Sequence, residues 1–264
     1  MIPTGHDLSD AEIARGYDAL AHDFVMPPYF YPEVLQFVGG VAGHRILDCG
    51  CGSGELLSLL ATKGAKELRG LEISPGLCAV TQAKLGERAV IHNGSLQARW
   101  PFEPRTFDLI VMTEVMEHLA HPEAALGEAR RVLAGGGRLV VTFPNASAYE
   151  PFLNLAHQRD GAGRWWAFLP WEHPRKTRQP IDTVYTYEEI QRLLGDAGWA
   201  VHRMHGREAF PYVWDWMSTE SWRALRAVLR RLERLRPKAD RRLNRLGKLR
   251  RCYRLFIECR PTPM

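Results

Sequence analysis

The chain has 264 residues, of which 45% are hydrophobic and 25% are charged, and its formal net charge is +5. These values are ordinary for one soluble globular α/β domain, so we expect residues 1–264 to form a single domain. No apolar run reaches the length of about 20 residues that a membrane helix needs, and the first residues lack the basic and apolar segments of a signal peptide, so we expect a cytoplasmic protein.

One or two helices are predicted before the first strand, over residues 7–38. Pro27, Pro28 and Pro32 interrupt this helical stretch, and a glycine pair at residues 39–40 follows it. We interpret residues 1–40 as an N-terminal helical cap on the domain that follows.

A glycine-rich loop, residues 50–54, follows a short apolar strand, Ile46–Cys49, and leads into a leucine-rich helix. Glycine permits unusual backbone dihedrals and close approach to a ligand. The helix N-terminus behind the loop offers free amides to a carboxylate or phosphate. The loop therefore predicts a small-ligand site, and a tight turn without a ligand is the alternative. The dinucleotide fingerprint fits poorly, because its last position would be Glu55.

A second strand, starting at Glu67, ends in Glu72, about 20 residues after the glycines, where such folds place a carboxylate on ribose hydroxyls. Ser74 is a predicted N-cap, with Pro75 in the first helical turn. Further strands alternate with helices, which predicts an α/β fold with a doubly wound, mostly parallel, Rossmann-like sheet. Ligands in such sheets bind at the carboxyl ends of the strands. That rule groups six residues around one crevice: Asp48, Gly50, Gly52, Glu72, Ser95 and Thr113.

Four motifs between Ile46 and Asn145 occur in the order found in class I S-adenosylmethionine (SAM)-dependent methyltransferases, which this stretch resembles. They are Asp-x-Gly-x-Gly-x-Gly, the acid at the end of the second strand, Phe-Asp-Leu-Ile-Val followed by Glu-Val-Met-Glu-His-Leu, and Arg-Val-Leu-x-x-Gly-Gly-x-Leu followed by Phe-Pro-Asn. The resemblance implies SAM as the cofactor, a SAM-binding core at residues 41–143 and seven strands in the order 3-2-1-4-5-7-6.

The same resemblance implies which residues contact SAM. They are Tyr17, Asp48, Gly50, Cys51, Gly52, Gly54, Glu72, Ile73, Ser95, Leu96 and Thr113. Tyr17 begins a Tyr-Asp-x-x-Ala-x-x-Phe segment that resembles one packed over the cofactor in many small-molecule methyltransferases; a plain amphipathic helix is the alternative. Ser95 stands where the family often has an aspartate that contacts adenine.

Glu114, Glu117 and His118 follow the fourth strand directly, and in a helix their spacing would place them on one face. Methyl transfer is a single displacement that depends mostly on alignment of the acceptor. A hydroxyl acceptor also benefits from a base or a metal ion. We predict His118 as an acceptor-side residue and candidate base, with His173 as a second catalytic candidate.

The Glu-x-x-Glu-His segment resembles two branches of the family. One comprises the ubiquinone-pathway O-methyltransferases. The other comprises the small-RNA 3′-end 2′-O-methyltransferases, in which two Glu and two His bind Mg²⁺ or Mn²⁺. The second resemblance implies a metal site formed by Glu114, Glu117, His118 and His173. Many class I enzymes carry this segment without a metal, and the alternative therefore has Glu117 in solvent and His118 in the acceptor pocket.

Residues 144–185 are rich in aromatic side chains and lack a regular pattern, which predicts a lid. Thr186 and Glu189 then predict a capping box at the start of a helix that ends at Gly198. The last two strands are predicted at residues 199–205 and 253–259, and the final one resembles the antiparallel strand of the family.

A basic helical insertion is predicted at residues 207–252, where Pro237 divides a leucine- and arginine-rich pattern. Residues 221–254 hold fourteen Lys or Arg against two acidic residues, a balance of +12, which leaves −7 of the net +5 on the remaining chain. Three interpretations stay open: a helical hairpin packed through Trp222, a helix on an anionic membrane surface, or an RNA-binding surface. The interleaved Leu and Trp favour the first two, so nucleic acid is the least favoured partner.

These patterns predict a SAM-dependent methyltransferase that acts on a hydroxyl of a small-molecule, lipid-linked or sugar-linked metabolite, and peripheral contact with an anionic membrane stays open. The alternatives are a metal-assisted RNA 2′-O-methyltransferase and a non-catalytic SAM-binding protein that acts through its basic insertion. The Asp/Asn-Pro-Pro-Tyr signature of N-methyltransferases is absent after the fourth strand, where Thr113-Glu114 stands. This disfavours methylation of bases and amides.

Overall fold

A computed structural model describes residues 8–20, 26–149, 157–159, 165–167, 179–181, 183, 185–208 and 235–263. The principal elements are helices α1 (Asp10–Leu20), α2 (Phe30–Val38), α3 (Glu55–Ala61), α4 (Pro75–Leu85), α5 (Pro122–Val132), α6 (Tyr187–Asp196) and α7 (Arg236–Arg245), and strands β1 (Arg45–Cys49), β2 (Glu67–Glu72), β3 (Val90–Asn93), β4 (Phe107–Thr113), β5 (Leu133–Pro144), β6 (Trp199–Arg207) and β7 (Arg254–Pro261).

These seven strands form one sheet in the order β3-β2-β1-β4-β5-β7-β6. The neighbours from β3 to β5 are parallel, whereas β7 is antiparallel to both β5 and β6. Because β7 runs opposite to both of its neighbours, the chain can leave β6 at the edge of the sheet and return as the strand between β5 and β6. The predicted α/β fold and its strand order are confirmed.

Helices cover both faces of the sheet. Helices α2, α3 and α4 contribute buried side chains to one apolar cluster, and α5 and α6 contribute to the other. Because β4 is central and covered on both faces, Leu109, Ile110, Val111 and Met112 are fully buried. Helix α6 begins with the predicted capping box, in which Thr186 and Glu189 satisfy each other's backbone amides.

Several predicted boundaries were wrong: the sequence pattern predicted the third strand at residues 88–92 and the strand after the glycine triplet at residues 138–143. Strand β3 begins at Val90 because residues 86–88 form a short 3₁₀ turn. Strand β5 begins at Leu133 because the glycines at residues 135–137 stay in the extended chain. Two short paired strands, His157–Arg159 and Trp165–Ala167, lie in the segment expected to lack regular structure.

Pro237 lies in the first turn of α7, where its missing N–H costs no hydrogen bond, so this proline is compatible with the start of a helix. Trp222 and most of the predicted lid and insertion lie outside the described residues, and these two segments stay predictions. Among the described helices, none has the length and apolar character needed to span a bilayer.

Candidate active site

A cleft of about 800 Å³ opens at the carboxyl ends of β1, β2 and β4. Ten of the residues predicted from sequence line it: Tyr17, Gly50, Gly52, Glu72, Ile73, Ser95, Leu96, Thr113, Glu114 and His118. Three other predicted contacts do not. Asp48 and Cys51 are buried, and Gly54 packs closely on Thr81. The structure therefore brings ten of the predicted residues together around one cleft and leaves Asp48, Cys51 and Gly54 outside its lining.

Two glycines shape the loop beneath this cleft. Gly50 has a φ of 68°, and a Cβ there would lie 2.6 Å from Cγ2 of Val115. Gly52 has a φ of 52°, yet a Cβ there would meet nothing within 4 Å. Gly50 is thus required by packing as well as by conformation, whereas Gly52 faces open space in which a ligand can approach the backbone.

The Glu72 carboxylate joins this loop to helix α4. One oxygen accepts from the amide of Gly52 at 2.9 Å, and the other accepts from the amide of Ser74 at 3.0 Å. Burial raises the pKa of Glu72, and the backbone amides that donate to it oppose this rise. Each oxygen retains a lone pair for a ligand hydroxyl.

Asp48 lies at the end of β1 and is 1% exposed. Burial, with smaller contributions from Glu72 and Glu55, raises its pKa to about 8. Because this value exceeds that of an unfolded Asp, about 4, its contribution to stability is present at acidic pH and is lost as the pH rises towards 8. In the described part of the chain, its Oδ1 atom has no hydrogen-bond partner.

Carboxylates dominate the charge of the cleft. Glu55, Glu72 and Glu114 line it, whereas Lys84 at the lining is engaged by Glu55 at 3.0 Å. Such a cleft favours a cationic ligand. SAM, the cofactor that the sequence resemblance implies, carries a sulfonium and an ammonium group, and these residues fit it.

His118 lies in the same cleft, and its ring is fixed by the backbone of a distant segment. Its Nδ1 atom lies 2.8 Å from the carbonyl oxygen of Ile181. A carbonyl oxygen only accepts, so Nδ1 carries the proton and the neutral ring keeps its lone pair on Nε2. Oε1 of Glu117 lies 3.8 Å from Nε2, and Glu117 is 2% exposed. The expectation of a solvated Glu117 was therefore wrong.

Glu114 is held by a buried ion-pair network. Its Oε1 accepts from the Thr142 hydroxyl at 2.7 Å, and its Oε2 accepts from Nε of Arg254 at 3.1 Å. Nη1 of Arg254 donates to Oε1 of Glu208 at 2.7 Å. Burial disfavours the guanidinium charge, but Glu114 and Glu208 raise the pKa of Arg254. Both acids have a left-handed backbone, with φ of 51° at Glu114 and 59° at Glu208, so two strained residues meet at one guanidinium.

The three described members of the predicted metal site, Glu114, Glu117 and His118, are not grouped to hold an ion. Only Met116–His118 forms a turn of 3₁₀ helix, and Glu114 precedes it with a left-handed backbone, so Glu114, Glu117 and His118 do not share a helical face. The Glu114 carboxylate is occupied by Arg254, and His173 lies outside the described residues. Within the described ranges, no three His, Cys, Asp or Glu side chains are grouped to hold an ion.

Helix α1 covers the cleft and touches both of its ends. Asp18 accepts from the Ser74 hydroxyl and, at 3.1 Å, from the amide of Gly76, next to Glu72. At its other side, Gly16 packs directly on the ring of Pro180. Tyr17 and Ile13 of α1 line the cleft from above. These contacts agree with the expectation that this segment packs over the cleft.

The sequence did not indicate several residues of this site. Tyr31, which the sequence analysis did not single out, lines one end of the cleft together with Pro27 and Pro28, which were interpreted only as helix breaks. Arg254 contacts Glu114 from a distant part of the chain, and Glu208 contacts Arg254. No local pattern marks such contacts.

Comparisons with known proteins agree with this arrangement. The sequence model of the family described as "Methyltransferase domain" matches residues 24–204 of this chain. The chain is 31% identical to an uncharacterized methyltransferase of Geobacillus thermodenitrificans over 150 residues, 55% of this chain and 67% of the relative. It is 28% identical to the ubiquinone biosynthesis O-methyltransferase of Sodalis glossinidius over 137 residues, 49% of this chain and 54% of the relative. The fold is similar to that of a SAM-dependent methyltransferase from Mesorhizobium loti, with a TM-score of 0.56 and 19% identity over 87% of this chain and 96% of that one.

Proposed function

The chain belongs to the methyltransferase domain family and is a SAM-dependent methyltransferase, and we propose that it methylates a hydroxyl group of a small or lipid-linked metabolite. The observation that carries this proposal is the state of His118. With Nδ1 bound to the carbonyl of Ile181, the ring presents its basic nitrogen, Nε2, on the side of Glu117 in the cleft. A hydroxyl acceptor is the class that gains most from such a base.

In this proposal SAM lies along the loop and strand ends that line the cleft. Glu72 accepts from the ribose hydroxyls, Gly50 and Gly52 let the backbone approach the ligand, and Tyr17 covers it from α1. Ile73, Ser95 and Leu96 flank the base, and Thr113 lies at the donor end. When bound, SAM supplies a methyl group activated by a sulfonium. Asp48, Cys51 and Gly54 support the loop from behind.

The catalytic step that we propose for His118 is removal of a proton. Nε2 would take the proton of the acceptor hydroxyl as its oxygen is methylated, and bound SAM would supply the methyl group and leave as S-adenosylhomocysteine. The resulting imidazolium lies between the Ile181 carbonyl and the Glu117 carboxylate, both of which stabilise the positive charge. Because Glu117 is buried, water does not screen this interaction.

The chemistry of the cleft supports an acceptor with an aromatic or apolar body. Met26, Pro27, Pro28, Tyr31 and Pro32 all contribute to its lining. The related O-methyltransferase of ubiquinone biosynthesis points to the same class of acceptor. Since the match covers about half of that relative, the acceptor class is our proposal for this chain.

The test is a screen with SAM that carries an isotope-labelled methyl group. Phenols, catechols, sugar hydroxyls and RNA serve as acceptors, and the methylated atom is identified by NMR. We expect label on oxygen of a phenol or catechol. Label found on nitrogen or carbon, or on RNA alone, would contradict the proposal.

Replacing His118 with asparagine is expected to lower kcat about 100-fold, the lower end of what a general base contributes. The rate of the wild type should rise with pH as the imidazole loses its proton, and this rise should disappear in the variant. Binding of S-adenosylhomocysteine, measured by calorimetry, should stay unchanged. His121→Asn is the control, because the His121 side chain is 69% exposed and pairs only with Glu123 among the described residues. Equal pH profiles for wild type and His118→Asn would contradict the proposed base.

A further inference from the structure

Helix α7 exposes a continuous basic face. Lys238, Arg241, Arg242 and Arg245 are all exposed, and their spacing of three and four residues places them along one side of the helix. The only acid in the helix, Asp240, is 3% exposed and faces the protein. We call these four residues the basic face of α7.

None of these four side chains has an acidic partner within 4 Å in the described part of the chain. The exposed Lys248 and Arg251 in the turns that follow α7 also lack an acidic partner there. By contrast, Arg250 in the same turn pairs with Glu188 at 3.1 Å. Six uncompensated cations therefore repel one another over a short surface, and an anionic partner would relieve that repulsion.

Exposed leucines flank the basic face. Leu235 precedes α7 and is 49% exposed, and Leu246 follows it and is 53% exposed. They are two of the five large hydrophobic side chains that are exposed in the described residues; the other three, Val80, Val90 and Val201, lie in α4, β3 and β6. A cluster of Lys and Arg on a helix is typical of a surface that binds anionic lipid headgroups, and exposed apolar side chains at its ends can enter the headgroup region.

The opposite face of α7 is fixed to the sheet. The Asn244 side chain accepts from the amide of Gly206 at 2.8 Å and donates to its carbonyl oxygen at 2.7 Å. Asp240 accepts from the amide of Glu208 at 3.3 Å, and Glu208 binds Arg254, the partner of Glu114 in the cleft wall. The basic face is therefore carried by a rigid support that continues directly into the active site.

We propose that the basic face of α7 docks the protein onto the surface of an anionic lipid bilayer. The chemistry recognised is lipid phosphate by the six cations, with Leu235 and Leu246 entering the headgroup region. RNA offers the same phosphates, but it does not account for the two exposed leucines. This docking surface goes beyond the proposed function, because lipid binding by the basic face of α7 does not require methyl transfer. Delivery of a lipid-borne acceptor to the cleft does rest on the proposed function.

The experiment is co-flotation of the full chain with vesicles of phosphatidylcholine and phosphatidylglycerol in equal parts. Each basic side chain at an anionic surface strengthens binding about five-fold. Four such losses multiply, so the variant Lys238→Gln, Arg241→Gln, Arg242→Gln, Arg245→Gln should bind about 600-fold more weakly. Wild-type binding should fall with salt, and vesicles of phosphatidylcholine alone should not bind. The double variant Leu235→Ser, Leu246→Ser should bind the vesicles more weakly, but its binding should still fall as the salt concentration rises.

A matched control makes the same change in charge elsewhere. Lys63, Lys66, Arg99 and Arg192 are exposed cations on other elements, and their replacement by glutamine should leave vesicle binding within about two-fold of the wild type, because they lie outside the proposed contact. S-adenosylhomocysteine affinity should be equal in all these variants, so loss of docking is distinguished from loss of the cofactor site. The proposal is overturned if the wild type does not float, if both quadruple variants behave alike, or if the protein binds duplex RNA but no anionic vesicle.

Discussion

Replacing Glu72 with glutamine is expected to weaken S-adenosylhomocysteine binding about 100-fold, because the ligand loses charge-assisted hydrogen bonds to two of its hydroxyls. The two oxygens of Glu72 accept from Gly52 and Ser74, which approach from different elements. A glutamine has one oxygen, so its amide nitrogen would face one of these N–H groups. The loop or the start of α4 must then move, and the ligand loses both its partner and its support.

Calorimetry measures this effect, and a second glutamate on the same strand provides the control. Glu67 is 34% exposed and pairs with Arg69 at 2.6 Å on the surface. Glu67→Gln should therefore leave the affinity within about two-fold of the wild type, as expected for an exposed ion pair. An unchanged Kd for Glu72→Gln would show that the carboxylate does not contact the ligand.

Replacing Arg254 with methionine is expected to lower the free energy of unfolding by about 3–5 kcal/mol, the usual cost of removing one partner of a buried ion pair. Glu208 is 2% exposed and Glu114 is 9% exposed at its side chain, and both depend on this guanidinium. The guanidinium also stacks on the ring of Phe30, with 4.8 Å between Cζ and the ring centroid. Chemical denaturation measures the loss.

The pH dependence of this deficit has a definite sign. Burial raises the pKa of Glu208 even with Arg254 present, and removal of the cation raises it further. A carboxyl group whose folded pKa exceeds its unfolded value stabilises the fold at low pH and loses that contribution as the pH rises. The deficit of Arg254→Met should therefore shrink as the pH falls.

Two further variants separate charge from packing. Arg260→Met removes a guanidinium that is 41% exposed and lies 3.5 Å from Glu258, so it should cost less than about 1 kcal/mol. Combining Arg254→Met with Glu114→Gln and Glu208→Gln should restore much of the stability, because no buried charge is then left unpaired. If the triple variant is no more stable than Arg254→Met, the loss comes from packing and not from charge.

The features that could be predicted from sequence are those encoded in adjacent residues. The order of strands and helices, the glycine loop, Glu72 at a strand end and the capping box at Thr186 each follow from a short spacing with a physical cause. The crevice followed as well, because the carboxyl ends of β1, β2 and β4 meet at one edge of a parallel sheet.

The features that escaped prediction depend on contacts between distant segments. His118 meets the carbonyl of Ile181 across 63 positions, and Glu114 meets Arg254 across 140. The left-handed backbone of Glu114 removed it from the helical face that its spacing suggested. Asp48 was placed on the crevice wall, but its carboxyl is buried behind the loop instead.

Helix α1 links binding of the cofactor to binding of the acceptor. Through Asp18 it contacts the start of α4, beside the Glu72 that we assign to the cofactor, and through Gly16 it contacts Pro180, the neighbour of the Ile181 carbonyl that orients His118. A cofactor that holds α1 in place therefore also prepares the acceptor end of the cleft. Binding of the two ligands should be cooperative, by about tenfold, and thermodynamic reciprocity requires the acceptor to tighten cofactor binding by the same factor. In Asp18→Asn this coupling should weaken, so the affinity of an acceptor measured with and without S-adenosylhomocysteine would become nearly equal.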